Sequence, residues 1–360
     1  MTATMTPTPS RTPSPLGRRS ITGAWVVSAG PITVRIRPRS FWVGIAAIAV
    51  LLAAGLVTLT HGTLALSPAE VVAALFGQGE APAVRTVQGR RLPRLITAAT
   101  VGGALGIAGA VFQSVSRNAL GSPDIIGFTS GAAAGAVIQV TVFGGDVVAT
   151  ALSAIAGGLV TALLVYGLAR RGGITGGLRL VLVGIGVGAI ASAITALFVV
   201  RAELDRAVSA QQWLAGSLLG RGWPHAWSVT VAVLVLIVPI VIVARRLTLI
   251  EMGDDLAGSI GVRVERTRFI AVILGVLLTG VAVAATGPIA FIALAAPQIV
   301  GRLVRSGGVH VLTSALLGAI LLVTADLLSQ AVDIGLRTPV GTVTALLGGV
   351  YLVWMLARRA

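Results

Sequence analysis

The sequence predicts an all-α, polytopic membrane protein with about ten transmembrane helices. Its 360 residues are 56% hydrophobic and only 11% charged, and the mean hydropathy is +0.97. A soluble domain usually carries about 25% charged residues, so the polar coat that keeps a soluble fold in water is missing here. The apolar residues also fall in runs of about 20, the length that crosses ~30 Å of hydrocarbon as a helix. A soluble enzyme is therefore close to excluded.

Several residue types that carry chemistry are absent. Cysteine is absent, and all 27 basic residues are arginine. These absences exclude a thiolate nucleophile, the lysine of a P-loop and Schiff-base catalysis. We therefore predict no catalytic residue, metal site or cofactor in this chain. If ATP drives its activity, ATP and Mg²⁺ must bind to a partner.

The net charge of +15 and the pI of about 11.9 raise the question of a nucleic-acid partner. The arginines, however, lie in short clusters between the apolar runs. This pattern is typical of the positive-inside rule and of contact with anionic lipid headgroups. We predict membrane lipid, and no nucleic acid, as a partner.

Residues 1–40 are rich in Thr, Pro, Ser and Arg, and we predict a disordered, basic, cytoplasmic tail there. The transmembrane domain is expected over 41–358. Candidate spans are 41–60, 94–113, 125–143, 147–169, 179–200, 226–244, 269–287, 289–304, 310–329 and 339–357. An even number of spans puts both ends on one side, and most arginines then fall in inner segments, so both termini are predicted to be cytoplasmic.

The motif RLPR at 91–94 opens the second span at its outer end. Pro93 suits the first turn of a helix, where no backbone N–H is needed. Arg91 and Arg94 are three residues apart and share a helix face. They either snorkel to the interface or form a docking patch for acidic residues of an external partner. At the inner end of this span, Asp124 is predicted to cap the next helix.

The longest inner loop, 247–268, carries several apolar residues in a polar setting. We expect two short helices joined by a turn at Gly253 and Asp254. Exposed apolar residues on such a protrusion indicate a docking surface, and the alternative is a helix lying on the membrane face.

Two stretches near the C-terminus carry unusual residues for a span. Gly287, Pro288 and Pro297 interrupt helical hydrogen bonding, which is tolerated at membrane depth only where protein or a cavity surrounds it, so a gate or pathway wall is indicated.

Asp326 is the acidic residue well inside a span and is a functional candidate by default. Since no intramembrane basic partner is apparent, we favour a structural role. Arg337 joins the outer docking group.

Seven ordered motifs carry a resemblance to a known family. They are RLPR (91–94), GAVFQ (109–113), RNALGSPDIIGF (117–128), QWLAGSL (212–218), GDDLAGSIGV (253–262), GPIAFIALAAPQI (287–299) and PVGTVTALLGG (339–349). Over 41–358 the chain resembles the FecCD/BtuC-type permeases of ABC importers. GSPDIIGF and the stretch 178–189 are most similar to the ferric-enterobactin type.

The resemblance implies import of an iron–siderophore chelate across the bacterial inner membrane. It also implies two cytoplasmic ABC ATPases, a second permease subunit and an extracytoplasmic binding protein. Arg91, Arg94 and Arg337 would dock the binding protein. The ATPase would seat on Met252, Gly253, Asp254, Asp255, Leu256, Ala257, Gly258, Ser259 and Gly261. The pathway and gate would include Gly109, Gln113, Gly127, Gly131, Gly287, Pro288, Pro297 and Gln298.

The chain departs from the family pattern at three places. Gln298 replaces a frequent His, Gln330 stands where an Arg is frequent, and Arg337–Thr338 replace an acidic residue and Leu. A heterodimer whose other subunit supplies the missing charge would explain these departures.

Other functions stay open on the sequence. Haem or cobalamin could be the cargo of the same machinery. An ion-coupled secondary transporter would rest on Asp326. An intramembrane enzyme is disfavoured, because His61, His225 and His310 lie in separate segments.

Overall fold

The computed structural model describes residues 18–19, 25–29, 32–171, 174–331 and 338–357. Within these described ranges, seven helical segments are long and apolar enough to cross a membrane. They are α1 (Pro38–Thr60), the continuous segment Ala81–Ser116, α6 (Val147–Ala169), α7 (Gly177–Arg201), α9 (Trp223–Ile250), α11 (Val264–Thr286) and α13 (Val311–Ala331). The segment Ala81–Ser116 comprises α3 (Ala81–Thr86), a π-helical turn (Val87–Arg91) and α4 (Leu92–Ser116).

Three shorter apolar helices occupy the other predicted spans. They are α5 (Phe128–Ile138) with its π-helical extension Gln139–Phe143, α12 (Ile292–Val304) and α14 (Val340–Ala357). The short helices are α2 (Pro68–Leu75), α8 (Leu204–Leu214) and α10 (Asp254–Ser259). The total of ten transmembrane helices stays a prediction, because these three fall below the length that spans a bilayer untilted.

Short strands complete the described structure. β1 (Arg18–Arg19), β2 (Trp25–Ala29) and β3 (Ile32–Ile36) pair antiparallel in that order, and β4 (Arg170–Arg171) pairs with β5 (Ile174–Thr175). WVVSA and ITVRI are rich in β-branched residues, which suit an antiparallel strand pair. The disorder predicted for the tail 1–40 stays a prediction. Residues 38–40 already belong to α1, and the remaining residues of the tail, apart from these strands and Arg37, lie outside the described ranges.

Helix α4 is the centre of the bundle. In the most apolar stretch of the segment Ala81–Ser116, 78% of residues are buried, against 17% for α1. It packs on α13, α11, α12 and α9. Glycines make the closest approaches possible: a Cβ at Gly106 would overlap the carbonyl oxygen of Ser314 on α13. Small residues at such crossings are the usual means by which helices associate in lipid.

The two ends of the bundle carry different structures. At the end that we name the α10 end, Arg39 Nε at the start of α1 donates to Leu303 O at 2.7 Å, and Val309 N donates to Thr248 Oγ1 at 3.2 Å. At the opposite end, named the α2 end, Arg91 Nη1 joins the start of α4 to Leu59 O of α1 at 2.6 Å. The predicted inner loop and the predicted outer arginine motif thus lie at opposite ends.

Candidate functional site

Helix α10 projects from the bundle between α9 and α11. Helix α9 runs unbroken to Ile250, a turn covers 251–253, and Gly253 precedes α10 with a φ of 129°. The prediction of two short helices is therefore wrong, because the first of them is the last turn of α9. Leu247 and Ile250 are buried and continue the packed face of α9, so the helix has no reason to end earlier.

The tip of α10 is apolar and exposed. The side chains of Met252, Leu256 and Ile260 are 68%, 59% and 63% exposed, whereas Ala257 is 1% exposed and anchors the helix to the core. Asp255, Gly258, Ser259 and Gly261 are also exposed. The residues predicted to seat an ATPase therefore lie together, and they form an apolar surface with a polar margin.

Asp254 fastens α10 to two other helices. It begins α10 and its side chain makes no capping hydrogen bond, so the predicted capping role is wrong. Its Oδ1 instead accepts from Arg268 Nη2 of α11 at 2.8 Å and from Arg117 Nη2, at the end of α4. Both arginines were missed by sequence reasoning, since no local spacing connects them to Asp254.

Arg117 joins three chain segments at one point. It ends α4 in the left-handed region, with a φ of 48°. Its Nη2 also donates to Ile250 O, at the end of α9, at 2.6 Å. A non-glycine residue adopts this backbone only where surrounding contacts hold it. The end of the central helix is therefore tied directly to the base of α10.

A second set of contacts continues this network around Arg268, which is 3% exposed. Arg268 Nη1 donates to Glu265 Oε1 at 3.1 Å and to Thr175 O at 3.3 Å. Glu265 Oε2 accepts from the Tyr166 hydroxyl of α6 at 3.1 Å. The first turn of α11 is thus fixed to α6 and to the β4–β5 turn.

The predicted pathway and gate residues lie in three separate places. The first is the crossing of α4 and α12. Gln113 Nε2 donates to Leu294 O at 3.0 Å, and Gln298, next to Pro297, donates to Ala119 O. A Cβ at Gly109 would overlap Ala293 O. These residues join the central helix to the helix that follows the backbone break.

The second place is the break itself. Gly287 has a φ of 76°. A Cβ at Gly216 would overlap Pro288 O, Ser217 N donates to Thr286 O at 2.7 Å, and Gly341 N donates to Gly216 O at 3.1 Å. The irregular backbone is therefore enclosed by protein, as it must be at membrane depth.

The third place is helix α5. Gly127 lies against Gly184 and Gly188 of α7, and Gly131 lies against Thr161 of α6. Asp124 does not cap α5, whose preceding residue is Gly127 with a φ of 82°. Instead Asp124 Oδ1 accepts from Thr129 Oγ1 at 2.6 Å, and Oδ2 accepts from Phe291 N at 3.3 Å. It thereby links the start of α5 to the residue that precedes α12.

The arginines of the RLPR motif have partners inside the chain. The guanidinium of Arg91 donates to Leu59 O, Thr60 O and Leu64 O. Arg94 makes a bidentate pair with Asp326, with Nη2–Oδ1 at 2.7 Å and Nε–Oδ2 at 2.9 Å. The docking role of both residues stays a prediction, and Arg337 lies outside the described residues.

This pair corrects the expectation that Asp326 has no basic partner within the membrane. Asp326 is 1% exposed, and Gln330 Nε2 also donates to its Oδ2 at 3.0 Å. The structural role favoured for Asp326 is thus supported by a full set of donors. Arg94 precedes Asp326 by 232 residues, so no local sequence pattern connects the two.

Among the residues that the structure describes, no group of three or more His, Asp or Glu side chains lies close enough to hold a metal ion. The prediction of no resident metal or cofactor stays a prediction. In the described residues, the candidate site therefore consists of helix contacts, ion pairs and an exposed apolar tip.

A comparison with protein families decides the class. The profile of the FecCD transport family matches residues 50–358, which is most of the chain.

The chain belongs to the FecCD transport family.

Several curated permease proteins are similar to this chain over most of their lengths. The chain is 42% identical to the ferric enterobactin transport system permease protein FepG of Escherichia coli, over 85% of this chain and 93% of FepG. It is 38% identical to the achromobactin transport system permease protein CbrC of Dickeya dadantii, over 87% and 90% of the two chains. It is 35% identical to the cobalamin import system permease protein BtuC of Halobacterium salinarum, over 75% and 72%.

A solved structure agrees with the fold. A chain described as an inward-facing conformation of a metal-chelate type ABC transporter superposes with a TM-score of 0.78 at 25% identity, covering 88% of this chain and 99% of that one. As a FecCD protein, this chain is a multi-pass transport permease, and family membership is consistent with a subunit that is not itself an enzyme. ATPase and substrate-binding partners go with such permeases.

Proposed function

We propose that this chain is the permease subunit of an ABC importer that moves an iron–siderophore chelate into the bacterial cytoplasm. The observation that carries the proposal is the 42% identity to a ferric enterobactin permease over 85% of the chain. The identity to a cobalamin permease is lower, at 35% over 75%. Siderophore import is therefore favoured, and haem or cobalamin import is the alternative for the same machinery.

The geometry of α10 supports the proposal that separate ATPase subunits drive transport through this chain. Its exposed apolar tip offers Met252, Leu256 and Ile260 to the seat of an ATPase, and Ala257 holds the helix to the bundle. Contacts of this kind bury apolar surface without needing a catalytic group in this chain. ATP and Mg²⁺ would bind to two separate ATPase subunits.

The ion pairs of Asp254 would carry the motion inward. Asp254 contacts Arg117 at the end of α4 and Arg268 near the start of α11. Movement of α10 therefore acts directly on the central helix of the bundle. The chelate would cross where this subunit meets a second permease subunit, in alternating access between the two sides.

The α2 end would receive the binding protein. Arg85 and Arg90 are exposed there, and neither forms an ion pair with a described carboxylate. They are better placed to meet acidic residues of a partner than Arg91 and Arg94, whose guanidinium groups are already engaged. Both termini would then be cytoplasmic, on the α10 side.

One contact weakens the alternative hypothesis of an ion-coupled secondary transporter. Its main support was an unpartnered carboxylate at Asp326, and that carboxylate accepts from Arg94 and Gln330. A carboxylate whose oxygens already accept hydrogen bonds from Arg94 and Gln330 is poorly placed to bind a transported ion.

The proposal is tested by purifying the tagged full-length chain from its native membrane in mild detergent. We expect an ABC ATPase to co-purify, with or without a sister permease. The double variant Met252→Ser and Leu256→Ser should lose the ATPase but keep the thermal stability of the chain. Phe76→Ser is the matched control, since Phe76 is 79% exposed at the opposite end.

The purified complex then goes into proteoliposomes with ATP enclosed, and uptake of a radiolabelled ferric siderophore is measured in the presence of the binding protein. Uptake that persists without ATP and follows an imposed proton gradient would overturn the proposal. So would a chain that purifies alone and is still active.

A further inference from the structure

A cavity of about 290 Å³ lies at the α10 end, between the last turn of α9 and the first turn of α11. It is lined by Arg246 from α9 and by Arg263 and Arg266 from the start of α11, together with Ile260 to Val262 and Thr267. All three arginine side chains are exposed. Three guanidinium groups thus face one small space.

None of these three arginines has an anionic partner in the described part of the chain. Within the described residues they make no hydrogen bond or ion pair. The nearest carboxylate in the sequence, Glu265, instead contacts Arg268, Tyr166 and the backbone of Thr175. Like charges that line one cavity repel each other, so an anion bound between them would be stabilised. The first turn of α11 opens on the same cavity without a side-chain cap, and its backbone N–H groups add partial positive charge.

The position of the cavity indicates which kind of molecule would supply the anionic group. One turn further into the predicted span, Ile242 of α9 is 56% exposed and Phe269 of α11 is 38% exposed. These exposed apolar side chains suit contact with acyl chains, which would place the arginines at the level of the headgroups. Arginine forms bidentate hydrogen bonds with phosphate, and basic pockets between transmembrane helices on the cytoplasmic side bind anionic headgroups.

We propose that the cavity formed by Arg246, Arg263 and Arg266 binds the phosphate headgroup of an anionic phospholipid. The bound lipid would lie against the base of α10, where Ile260 contributes to both the cavity and the exposed apolar tip. The inference goes beyond transport itself and does not depend on the identity of the cargo.

The test measures lipid binding by the full-length chain alone. The chain is placed in nanodiscs of phosphatidylcholine containing phosphatidylglycerol, and native mass spectrometry after mild detergent release counts the retained lipids of each kind. We expect retention of phosphatidylglycerol over phosphatidylcholine. Each arginine changed to glutamine should lower this preference about fivefold, from ~1 kcal/mol per basic residue near a lipid surface. High salt should lower it less than it lowers binding at open surface sites.

The matched control changes Arg179, Arg245 and Arg305 to glutamine. These residues are exposed at the same end and do not line the cavity, so the loss of net charge is equal. Lipid preference should survive in this control and be lost in the Arg246→Gln, Arg263→Gln, Arg266→Gln variant. Equal losses in both variants would overturn the proposal, because they would show general surface attraction.

Two further results would also overturn it. Displacement of phosphatidylglycerol by a few millimolar inorganic phosphate would identify a free-phosphate site. Unchanged lipid preference in the cavity variant, with loss of the co-purifying ATPase, would assign the arginines to an acidic protein surface. Because lipid binding is measured on the chain alone, failure here is distinct from failure of the transport proposal.

Discussion

At Gly109 the central helix packs closely against the helix after the backbone break. A Cβ at this position would overlap the carbonyl oxygen of Ala293. The resemblance to the family implied a pathway role, and the structure adds a packing reason for glycine. At the residue scale, such contacts decide which side chains the bundle tolerates.

The first prediction is that Gly109→Ala destabilises the protein, because α4 and α12 must move apart to admit the methyl group. Overpacking of this kind costs about 1–3 kcal/mol. Thermal unfolding in detergent should show the loss. Gly186→Ala is the control, since nothing lies within 4 Å of a Cβ there, and equal unfolding temperatures for the two variants would contradict the packing account.

A second residue-scale prediction concerns the pair of Arg94 and Asp326. Asp326→Asn leaves a guanidinium without its counter-ion in a largely buried site, and breaking one side of such a pair costs about 3–5 kcal/mol. The double variant Arg94→Met with Asp326→Leu should recover much of that loss, because it removes both charges. Unfolding temperatures of the single and double variants provide the measurement.

The Asp326→Asn variant also distinguishes a structural role of Asp326 from a role in ion coupling. If Asp326→Asn keeps wild-type stability and ATPase binding but abolishes uptake, the carboxylate has a transport role and the structural interpretation is wrong. Retained uptake in the double variant would exclude that role.

At the scale of elements, α10 is a short helix with two different faces. Its outer side presents Met252 and Leu256, and its base is held by Ala257 and by the ion pairs of Asp254. A helix of this length is marginal in water by itself, so its position depends on these tertiary contacts. The ion pairs join α10 to α4 and α11, and under the proposed function they would transmit movement of α10 to those helices.

We predict that Asp254→Asn lowers the amount of chelate taken up per ATP hydrolysed by roughly fivefold or more, the range of a coupling free energy of 1–3 kcal/mol. ATPase binding should persist, because the apolar tip is intact. Uptake and phosphate release are measured together in proteoliposomes. Asp254→Glu should restore part of the ratio, which a purely structural defect would not show.

Asp205→Asn, at an exposed position of α8, serves as the control for loss of a carboxylate. A parallel fall of uptake and hydrolysis in Asp254→Asn would contradict the coupling role and indicate loss of the seated ATPase instead.

At the scale of the whole molecule, the two ends of the bundle carry different structures. The α10 end gathers arginines and the apolar tip, and the α2 end carries short helices and the RLPR motif. Because arginine-rich segments are retained in the cytoplasm, the α10 end should be the inner one.

The absence of cysteine makes this orientation simple to measure. We expect Phe76→Cys to react with a membrane-impermeant maleimide in intact spheroplasts, and Leu256→Cys to react only after permeabilisation. Both side chains are well exposed, at 79% and 59%, so access to the reagent is not limited by burial. The opposite pattern of labelling would invert the topology and the proposed direction of transport.

The sequence by itself determined the class of protein and much of its order along the chain. Low charge, long apolar runs and arginine clusters are local properties, so they predict spans and orientation without a fold. The apolar residues of 247–268 likewise predicted an exposed protrusion. The glycine and proline residues near 287 predicted a break, since backbone geometry is also local.

Only the tertiary structure decided which distant residues meet. Arg94 and Asp326 are 232 positions apart, and Arg117 and Asp254 are 137 apart. Arg246 shares a cavity with Arg263 and Arg266 because two helices end side by side. Such contacts depend on the order and tilt of helices in the bundle, which periodicity cannot supply. For this reason the apparently free Arg94 and the apparently isolated Asp326 became partners only in the folded chain.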